Sequence, residues 1–406
     1  MNVYDVLIER GYFADATHPE KIRDYLAKPG AIFYIGFDPT ADSLHIGHLT
    51  QMMVMAHMQK AGHIPIALMG GGTGQIGDPS GRSDMRQLMT QATIDHNIAK
   101  FKEQMARLID FSDDKAIMAN NADWLMNINY IEFLRDIGVH FSVNKMLATD
   151  IYKNRLGDGL TYFEFSYILL QSYDFLELYR RYDCRLQMGG QDQWANIISG
   201  VDLVRRVEQE EVYGMTFQLL QNSAGEKMGK TAKGALWLDA DKLSPFEFYQ
   251  YFRNIEDASV INTMKILTFM SLDEIAKYEN LEGQEINQAK EVLAYEVTKV
   301  VHGEEEAKAA QKQARQLFSG GGRSDDMPTF ELTTDEAYNT PILDLLNNNK
   351  IVPSKSEGRR LIKQGGIYLN DVSITDPNGN LNENHFENNE AIIRRGKKNF
   401  FRFVLK

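Results

Sequence analysis

The chain reads as an α/β protein: a doubly wound parallel sheet, then a small all-helical stretch, then a C-terminal α+β unit. Three observations predict this. A strand–loop–helix–strand run opens the chain between residues 31 and 69. Helix-capping signatures at Ser244 and Ser271 begin a stretch without strand patterns. A Gly-, Ser- and Asp-rich segment at 319–326 separates that stretch from a basic tail.

Residues 31–37 (Ala-Ile-Phe-Tyr-Ile-Gly-Phe) are a buried strand by their continuous apolar run. Asp38 to Ser43 is a loop by its turn residues. Leu49, Met52, Met53 and Ala56 then recur at helical spacing. Ile64–Met69 is a second strand, closed by Gly70-Gly71-Gly72. This is the opening of a doubly wound sheet, whose ligands bind at the carboxyl ends of the strands. Residues 91–150 read as mostly helical. Cys184–Met188 is a short strand, and a helix starts near Gln193. Ser244-Pro245-Phe246-Glu247 and Ser271-Leu272-Asp273-Glu274 are capping boxes, the first with Pro at the first helical position. The expected division is 1–225, a catalytic domain; 226–243, a mobile loop; 244–318, a helical domain; 319–340, a linker; and 341–406, the terminal unit.

Composition narrows the function classes. Hydrophobic residues make up 43% and charged residues 25%, as in ordinary globular proteins. No run of eighteen apolar residues occurs, so no membrane span is expected. The first residues have neither the basic nor the apolar region of a signal peptide. The single cysteine, Cys184, excludes an intramolecular disulfide and a cysteine zinc cluster. A cytoplasmic setting is the expectation. The net charge of −12 speaks against a generally nucleic-acid-coating protein. Residues 347–406 nonetheless hold eleven Lys or Arg against six acids, a net of +5 on a body of −17. Such a basic end suggests a local polyanion contact.

Two motifs carry chemistry. His45-Ile46-Gly47-His48 opens the first helix directly after a strand. Gly47 leaves room for an adenine ring against the backbone. His45 and His48, three apart, share a face at a helix N-terminus, where free N–H groups and the dipole favour phosphate. Their imidazole N–H groups can stabilise charge growing on an α-phosphate. The second motif is Lys227-Met228-Gly229-Lys230-Thr231, with Lys233 close by and Gly225 and Gly234 flanking it. Three cations on a glycine-rich loop can close on a triphosphate. Alone, the first is as well read as two solvent-facing histidines and the second as a solvated basic loop. In this order and spacing they point to adenylate formation from ATP.

The two motifs together resemble the phosphate-handling signatures of class I aminoacyl-tRNA synthetases. Further segments resemble bacterial tyrosyl-tRNA synthetases over essentially the whole chain. These are Tyr34-Ile35-Gly36-Phe37-Asp38-Pro39-Thr40, Gly70-Gly71-Gly72-Thr73-Gly74, Ile76-Gly77-Asp78-Pro79-Ser80-Gly81, Glu164-Phe165-Ser166-Tyr167, Gln171-Ser172-Tyr173-Asp174 and Gly189-Gly190-Gln191-Asp192-Gln193-Trp194. The resemblance implies a Rossmann-like catalytic domain, a helical anticodon-side domain and an S4-like RNA-binding domain. It implies tyrosine, ATP with Mg2+, and tRNA(Tyr) as substrates, no protein-bound metal, and a homodimer with its interface in 130–165.

It also implies roles for individual positions. Tyr34 and Asp174 would meet the phenolic hydroxyl of tyrosine, which offers one donor and one acceptor. Asp78, Tyr167 and Gln171 would hold the ammonium group, and Gln193 would lie near the carboxylate or α-phosphate. Gly36, Asp38, Gly47, Gly190 and Asp192 would line the ATP site, Asp192 taking the ribose hydroxyls. Thr40, His45 and His48 would contact phosphates. Arg82 and Arg86, four apart, would join Lys227, Lys230 and Lys233 on the leaving pyrophosphate. Singly, Tyr34 is as well read as core packing, Asp174 as a surface charge, and Cys184 and Trp194 as structural residues. Gly229 and Thr231 stand where many class I enzymes carry serines, a variant common among tyrosyl enzymes. Ile35 stands where some relatives have a polar residue able to reach the ribose. Gln51 is a variable site.

The tail segment Val352–Asn370 resembles an S4 motif. Ser354 and Glu357 cap a helix that carries Arg359, Arg360 and Lys363, suited to RNA phosphates. Arg394, Arg395, Lys397 and Lys398 form a second basic cluster. Two rival readings stand beside the leading one. A tryptophanyl enzyme is opposed by the phenol-matched pair Tyr34 and Asp174. A non-catalytic descendant is opposed by the intact His45, His48, Lys227, Lys230 and Asp192.

Overall fold

The computed structural model describes residues 2–78, 89–149, 152–153, 156–157, 159–221, 225, 228–231, 234–319, 328–370, 372–386, 389–396 and 399–406. The chain forms two compact units, Met1–Ala307 and Lys308–Lys406.

The first unit is built on strands β1 (Phe13–Ala16), β2 (Ile32–Phe37), β3 (Ile64–Met69), β4 (Ile117–Asn120), β5 (Leu186–Gly190) and β6 (Tyr213–Phe217). Their order in the sheet is β1-β6-β5-β2-β3-β4. The five strands β2 to β6 run parallel. β1 pairs antiparallel with β6 at one edge. β3 and β5 are almost wholly buried, as parallel strands covered on both faces must be. Helix α1 (Ile46–Lys60) joins β2 to β3. Helix α2 (Tyr167–Tyr182) leads into β5 on the other side of β2, and α3 (Trp194–Glu208) joins β5 to β6. The winding therefore reverses between β2 and β5. A crevice opens at the carboxyl ends of strands at such a point. The sheet differs from the sequence expectation at β4, which lies in a stretch read as helical. Four residues, Ile-Met-Ala-Asn, are too few to show a strand period.

Phe175, Leu176, Leu178, Leu203 and Val204 from α2 and α3 share one apolar cluster with Tyr34, Trp124 and the fully buried Cys184. Burial pushes the Cys184 thiol far above its ordinary pKa, as befits an inert core residue.

Helices Pro245–Arg253, Val260–Leu267, Leu272–Ala276 and Ile286–His302 complete the first unit. Ser244 and Ser271 accept from the N–H groups of Glu247 and Glu274, so both expected caps form. Arg10 donates to the carbonyls of Lys265, Thr268 and Met270, and Tyr12 Oη to that of Ile266. These bonds fasten the helices to the segment that runs into β1. Two short strands, β7 (Lys230–Thr231) and β8 (Gly234–Ala235), form an antiparallel pair within the lysine segment.

The second unit holds β9 (Thr329–Leu332), β10 (Ile367–Leu369), β11 (Val372–Ser373), β12 (Glu390–Arg395) and β13 (Asn399–Leu405), in the order β11-β10-β12-β13-β9. Helices Ile342–Asn348 and Lys355–Lys363 supply Leu343, Leu346 and Ile362 to a core completed by Ile393 and Phe403. The stretch 319–340, read from composition as a linker, contains β9, which pairs in parallel with β13, and the helix Thr334–Asn339. Its Gly-rich half masked that second half in the composition. Among the described residues no helix is long and apolar enough to cross a membrane.

Candidate active site

The histidine motif begins where the loop after β2 turns into α1. His45 is the N-cap, with extended backbone (φ −130°, ψ 175°). Its Nδ1 accepts from the Gly47 N–H at 3.1 Å, and its own N–H donates to His48 Nδ1 at 3.2 Å. The two rings stack with centroids 3.9 Å apart. With both Nδ1 atoms accepting, the ring protons of the neutral imidazoles sit on Nε2. Burial lowers the pKa of His45, which keeps it a neutral donor. A β-carbon on Gly47 would come within 3.0 Å of the His45 ring, so glycine lets the ring fold back over the helix start.

The lysine segment is tied to this helix start by backbone. Leu236 O accepts from Ile46 N–H at 3.0 Å, and Leu238 N–H donates to Leu44 O at 2.9 Å. Between them His45 and Trp237 form an antiparallel bridge. Upstream, Met228 N–H donates to Leu220 O, and Leu236 N–H to Gly229 O. Gly229 N–H donates to Tyr251 Oη at 3.1 Å, which anchors the motif to the helical part of the unit.

A cavity of about 870 Å³ lies at the carboxyl ends of β2 and β5, against the start of α1. Tyr34, Gly36, Asp38, Thr40, His45, Gly47, His48, Asp78, Tyr167, Gln171, Asp174, Asp192 and Gln193 all line it. Its floor is polar and buried. Asp174, 2% exposed, accepts from Trp124 Nε1 at 2.7 Å and from Asn121 Nδ2 at 2.9 Å. Desolvation raises its pKa to about 7, against the pull of those two hydrogen bonds. Tyr34 Oη, 1% exposed as a residue, has no hydrogen-bond partner among the described residues, nor do Gln171 Oε1, Gln187 Oε1 and Gln51 Oε1. Buried polar atoms of this kind are ordinarily satisfied, so their gathering around one cavity marks where a polar ligand bonds. Burial and the Asp174 charge both raise the Tyr34 pKa, so its hydroxyl is a donor.

At the other end, Gln193 Nε2 donates to Asp78 Oδ2 at 2.5 Å, and Gln171 Nε2 to Gln193 Oε1 at 3.3 Å. Tyr167 Oη donates to Asp38 Oδ2 at 3.3 Å, and Thr73 Oγ1 to Asp38 Oδ1 at 3.2 Å. Thr73 Oγ1 also accepts from Asn121 Nδ2, whose Oδ1 takes the Gly72 N–H at 2.7 Å. One network thus runs from Trp124 through Asp174, Asn121 and Thr73 to Asp38 and Tyr167. The cavity lining thus combines the Tyr34 hydroxyl and the Asp174 carboxylate with the acids Asp38, Asp78 and Asp192 and the N-terminus of α1.

Comparison with known proteins gives this geometry its context. Residues 28–319 match the family model of class I tRNA synthetases (W and Y). Residues 306–403 match the C-terminal domain of tyrosine–tRNA ligases. The tyrosine–tRNA ligase of Clostridium botulinum (strain 657 / Type Ba4) is 60% identical over the full length of both chains, and that of Clostridium kluyveri (strain NBRC 12016) is 56% identical over the full length of both. The chain belongs to the bacterial tyrosyl-tRNA synthetases. A C-terminally truncated mitochondrial tyrosyl-tRNA synthetase of Aspergillus nidulans superposes with a TM-score of 0.70 at 31% identity, covering 78% of this chain and 94% of that one. The tyrosyl-tRNA synthetase of Archaeoglobus fulgidus, solved with L-tyrosine, shares the fold at a TM-score of 0.58 and 14% identity, covering 76% and 99%.

Within this tyrosyl-tRNA synthetase fold, not every expected position falls on the cavity. Gly190 ends β5 but does not line it. Arg82, Arg86, Lys227, Lys233 and Lys397 lie outside the described residues, as does the side chain of Lys230. In the second unit Arg359 and Lys363 are exposed on one helix, whereas Arg360 pairs with Glu357 at 2.6 Å. The Arg394 guanidinium covers the Tyr368 ring at 3.7 Å. The sequence reading missed Thr73, Asn121, Trp124 and Gln187. The signal for Asn121 was its place just past a strand end, legible only once β4 is recognised.

Proposed function

We propose that this chain activates tyrosine with ATP and transfers it to tRNA(Tyr), using the cavity above for both chemical steps. A tyrosine carboxylate oxygen attacks the α-phosphorus of ATP, and the bond from that phosphorus to the β-phosphate bridging oxygen breaks, releasing pyrophosphate. A ribose hydroxyl of the terminal adenosine of tRNA then attacks the tyrosyl carbonyl carbon, and AMP leaves. No covalent bond to the protein forms, so positioning and charge stabilisation carry the rate. In this reading Asp174 accepts from the substrate phenol and Tyr34 Oη donates to it. Asp78, Gln171, Gln193 and Tyr167 receive the ammonium and carboxylate. His45, His48 and Thr40 face the phosphates, joined by Lys227, Lys230, Lys233, Arg82 and Arg86. Gly36 lends its open side to the nucleotide, since among the described residues nothing lies within 4 Å of where its β-carbon would be. Asp192 takes the ribose. Magnesium would enter with ATP, since Mg2+ is commonly held through substrate phosphates and water with few protein ligands.

The observation that carries the reading is the unpartnered, buried Tyr34 hydroxyl in the same cavity as the twice-bonded Asp174 carboxylate. A phenol gives the Tyr34 hydroxyl its acceptor and adds a third donor to Asp174, while phenylalanine leaves the Tyr34 hydroxyl unpaired. The relation of such pairing to tyrosine selectivity is an example that general accounts of specificity draw from this enzyme family itself. The basic residues Arg359, Arg360, Lys363, Arg394 and Lys397 are proposed to bind tRNA. A homodimer in the cytoplasm is proposed as the working form. It is supported by exposed Met126, Tyr130, Ile131, Val139, Val143 and Tyr162, an apolar set large for a free surface. Tyrosine-dependent pyrophosphate exchange tests the central claim. The wild-type chain should exchange with tyrosine and not with tryptophan, and Asp174→Ala should lose exchange while still binding ATP. Exchange with tryptophan, or near-normal exchange in Asp174→Ala, would overturn it.

A further inference from the structure

The acceptor Asp174 sits on α2, and a second row of contacts runs along that helix away from the cavity. Glu177 and Arg181 follow at helical spacing, so all three lie along one stripe. Trp124, 6% exposed, spans part of this stripe. Its Nε1–H bonds Asp174, and the Arg181 guanidinium carbon lies over its ring, 5.2 Å from the centroid. Arg181 is held there from behind: its Nε and Nη2 both reach Glu177 Oε2 at 3.0 Å. Glu177 is in turn fixed by Arg180 at 3.3 Å, its side chain only 10% exposed.

We infer that Arg181 is a positioning residue for tyrosine selection, holding the Trp124 indole so that its N–H orients the Asp174 carboxylate toward the substrate phenol. The inference rests on the reading of the cavity as the tyrosine site. Its physical basis is that an indole packed behind a cavity-lining carboxylate can pivot about two side-chain torsions. A cation over the ring face fixes one side, and the hydrogen bond fixes the other. Removing the cation leaves the hydrogen bond possible but less well aimed. The reacting centre is untouched, because Arg181 reaches neither the phosphate nor the ammonium end of the cavity.

The test is a double-mutant cycle on steady-state pyrophosphate exchange. Arg181→Gln keeps the stem and a group able to bond Glu177 but removes the cation. It should raise KM for tyrosine roughly two- to fivefold, the fold-change expected of a partly exposed cation–π contact. KM for ATP and kcat should stay as in the wild type, the preference for tyrosine over phenylalanine should fall by the same factor, and Arg181→Lys should restore most of the loss. In Trp124→Phe, which has a ring but no N–H, the Arg181→Gln effect on KM should vanish. An equal effect in both backgrounds, or a lowered Tm with unchanged KM, would overturn the relay and make Arg181 a helix-end charge alone. If Trp124→Phe leaves KM for tyrosine unchanged, the relay fails, while the assignment of the phenol end is decided separately by Asp174→Ala.

Discussion

Gly229 of the lysine motif packs directly on Ile46 of the histidine motif: a β-carbon on Gly229 would lie 2.1 Å from Ile46 Cγ2. Its φ of +96° is also one that residues with a β-carbon rarely adopt. The histidine and lysine motifs are thus fitted to each other through one missing side chain. Gly229→Ala should slow adenylate formation roughly five- to thirtyfold, since a strain of about 1–2 kcal/mol falls on the loop that carries the lysines. Tyrosine affinity should change little. Single-turnover adenylate formation, read beside equilibrium tyrosine binding, checks both halves.

With Asp174 as the proposed acceptor of the phenol, tyrosine binding should depend on pH. The free-enzyme pKa of Asp174 stands at about 7, and a phenol O–H donated to the carboxylate favours the charged form. Tyrosine affinity should therefore strengthen as pH rises through about 7 and fall on the acid side. Stability moves the other way. The folded pKa lies above the ordinary 3.8, so the folded state holds this proton more tightly than the unfolded state between pH 4 and 7. That contribution is full below about pH 4 and lost as pH rises through about 7. Tyrosine titrations and denaturant unfolding at pH 5.5, 7 and 8.5 measure the two trends, with Asp174→Ala as the control that should flatten the stability term.

His48→Ala should lower the rate of adenylate formation on the order of a hundredfold, the usual cost of one donor to developing charge. Tyrosine binding should hold, because His48 stacks on His45 at the helix start, away from the Asp174 end. Pre-steady-state kinetics separates these. A variant with weakened tyrosine binding and an unchanged chemical step would contradict the placement.

Removing residues 320–406 should leave exchange intact and cripple tRNA charging. Every residue lining the cavity precedes 236, and the second unit keeps its own core of Leu343, Ile362 and Phe403. A cut at 341 would instead strand β9, which pairs with β13. In the full chain, Arg359→Ala should weaken tRNA binding and reduce its salt dependence by about one phosphate contact. Aminoacylation and exchange assays on both proteins decide this.

The motif residues were readable because each kept a local signature: a strand, a glycine-bearing turn, a capped helix. Tyr34, Asp174 and Gln193 reach one cavity as that pattern implies. Asn121 and Trp124 were not readable, since the sheet brings them to Asp174 across about fifty positions and nothing near them alternates. β1, β4 and β9 have four residues each, shorter than the patterns that announce a strand. The separate helical domain expected at 244–318 is joined to the sheet by contacts from Arg10 and Tyr12, more than 250 positions away. No window of sequence spans that distance.

Those same contacts from Arg10 and Tyr12 set how the molecule comes apart. A guanidinium that closes the carbonyls of Lys265, Thr268 and Met270 cannot let that stretch unravel without losing the acceptors that compensate its buried charge, and burial already lowers the Arg10 pKa. The cost of freeing one part thus falls on the other, which is the condition for cooperative melting. Heated in a calorimeter, the first 307 residues should give a single transition. Arg10→Ala should divide it, with the stretch from Pro245 to His302 losing its amide-exchange protection first.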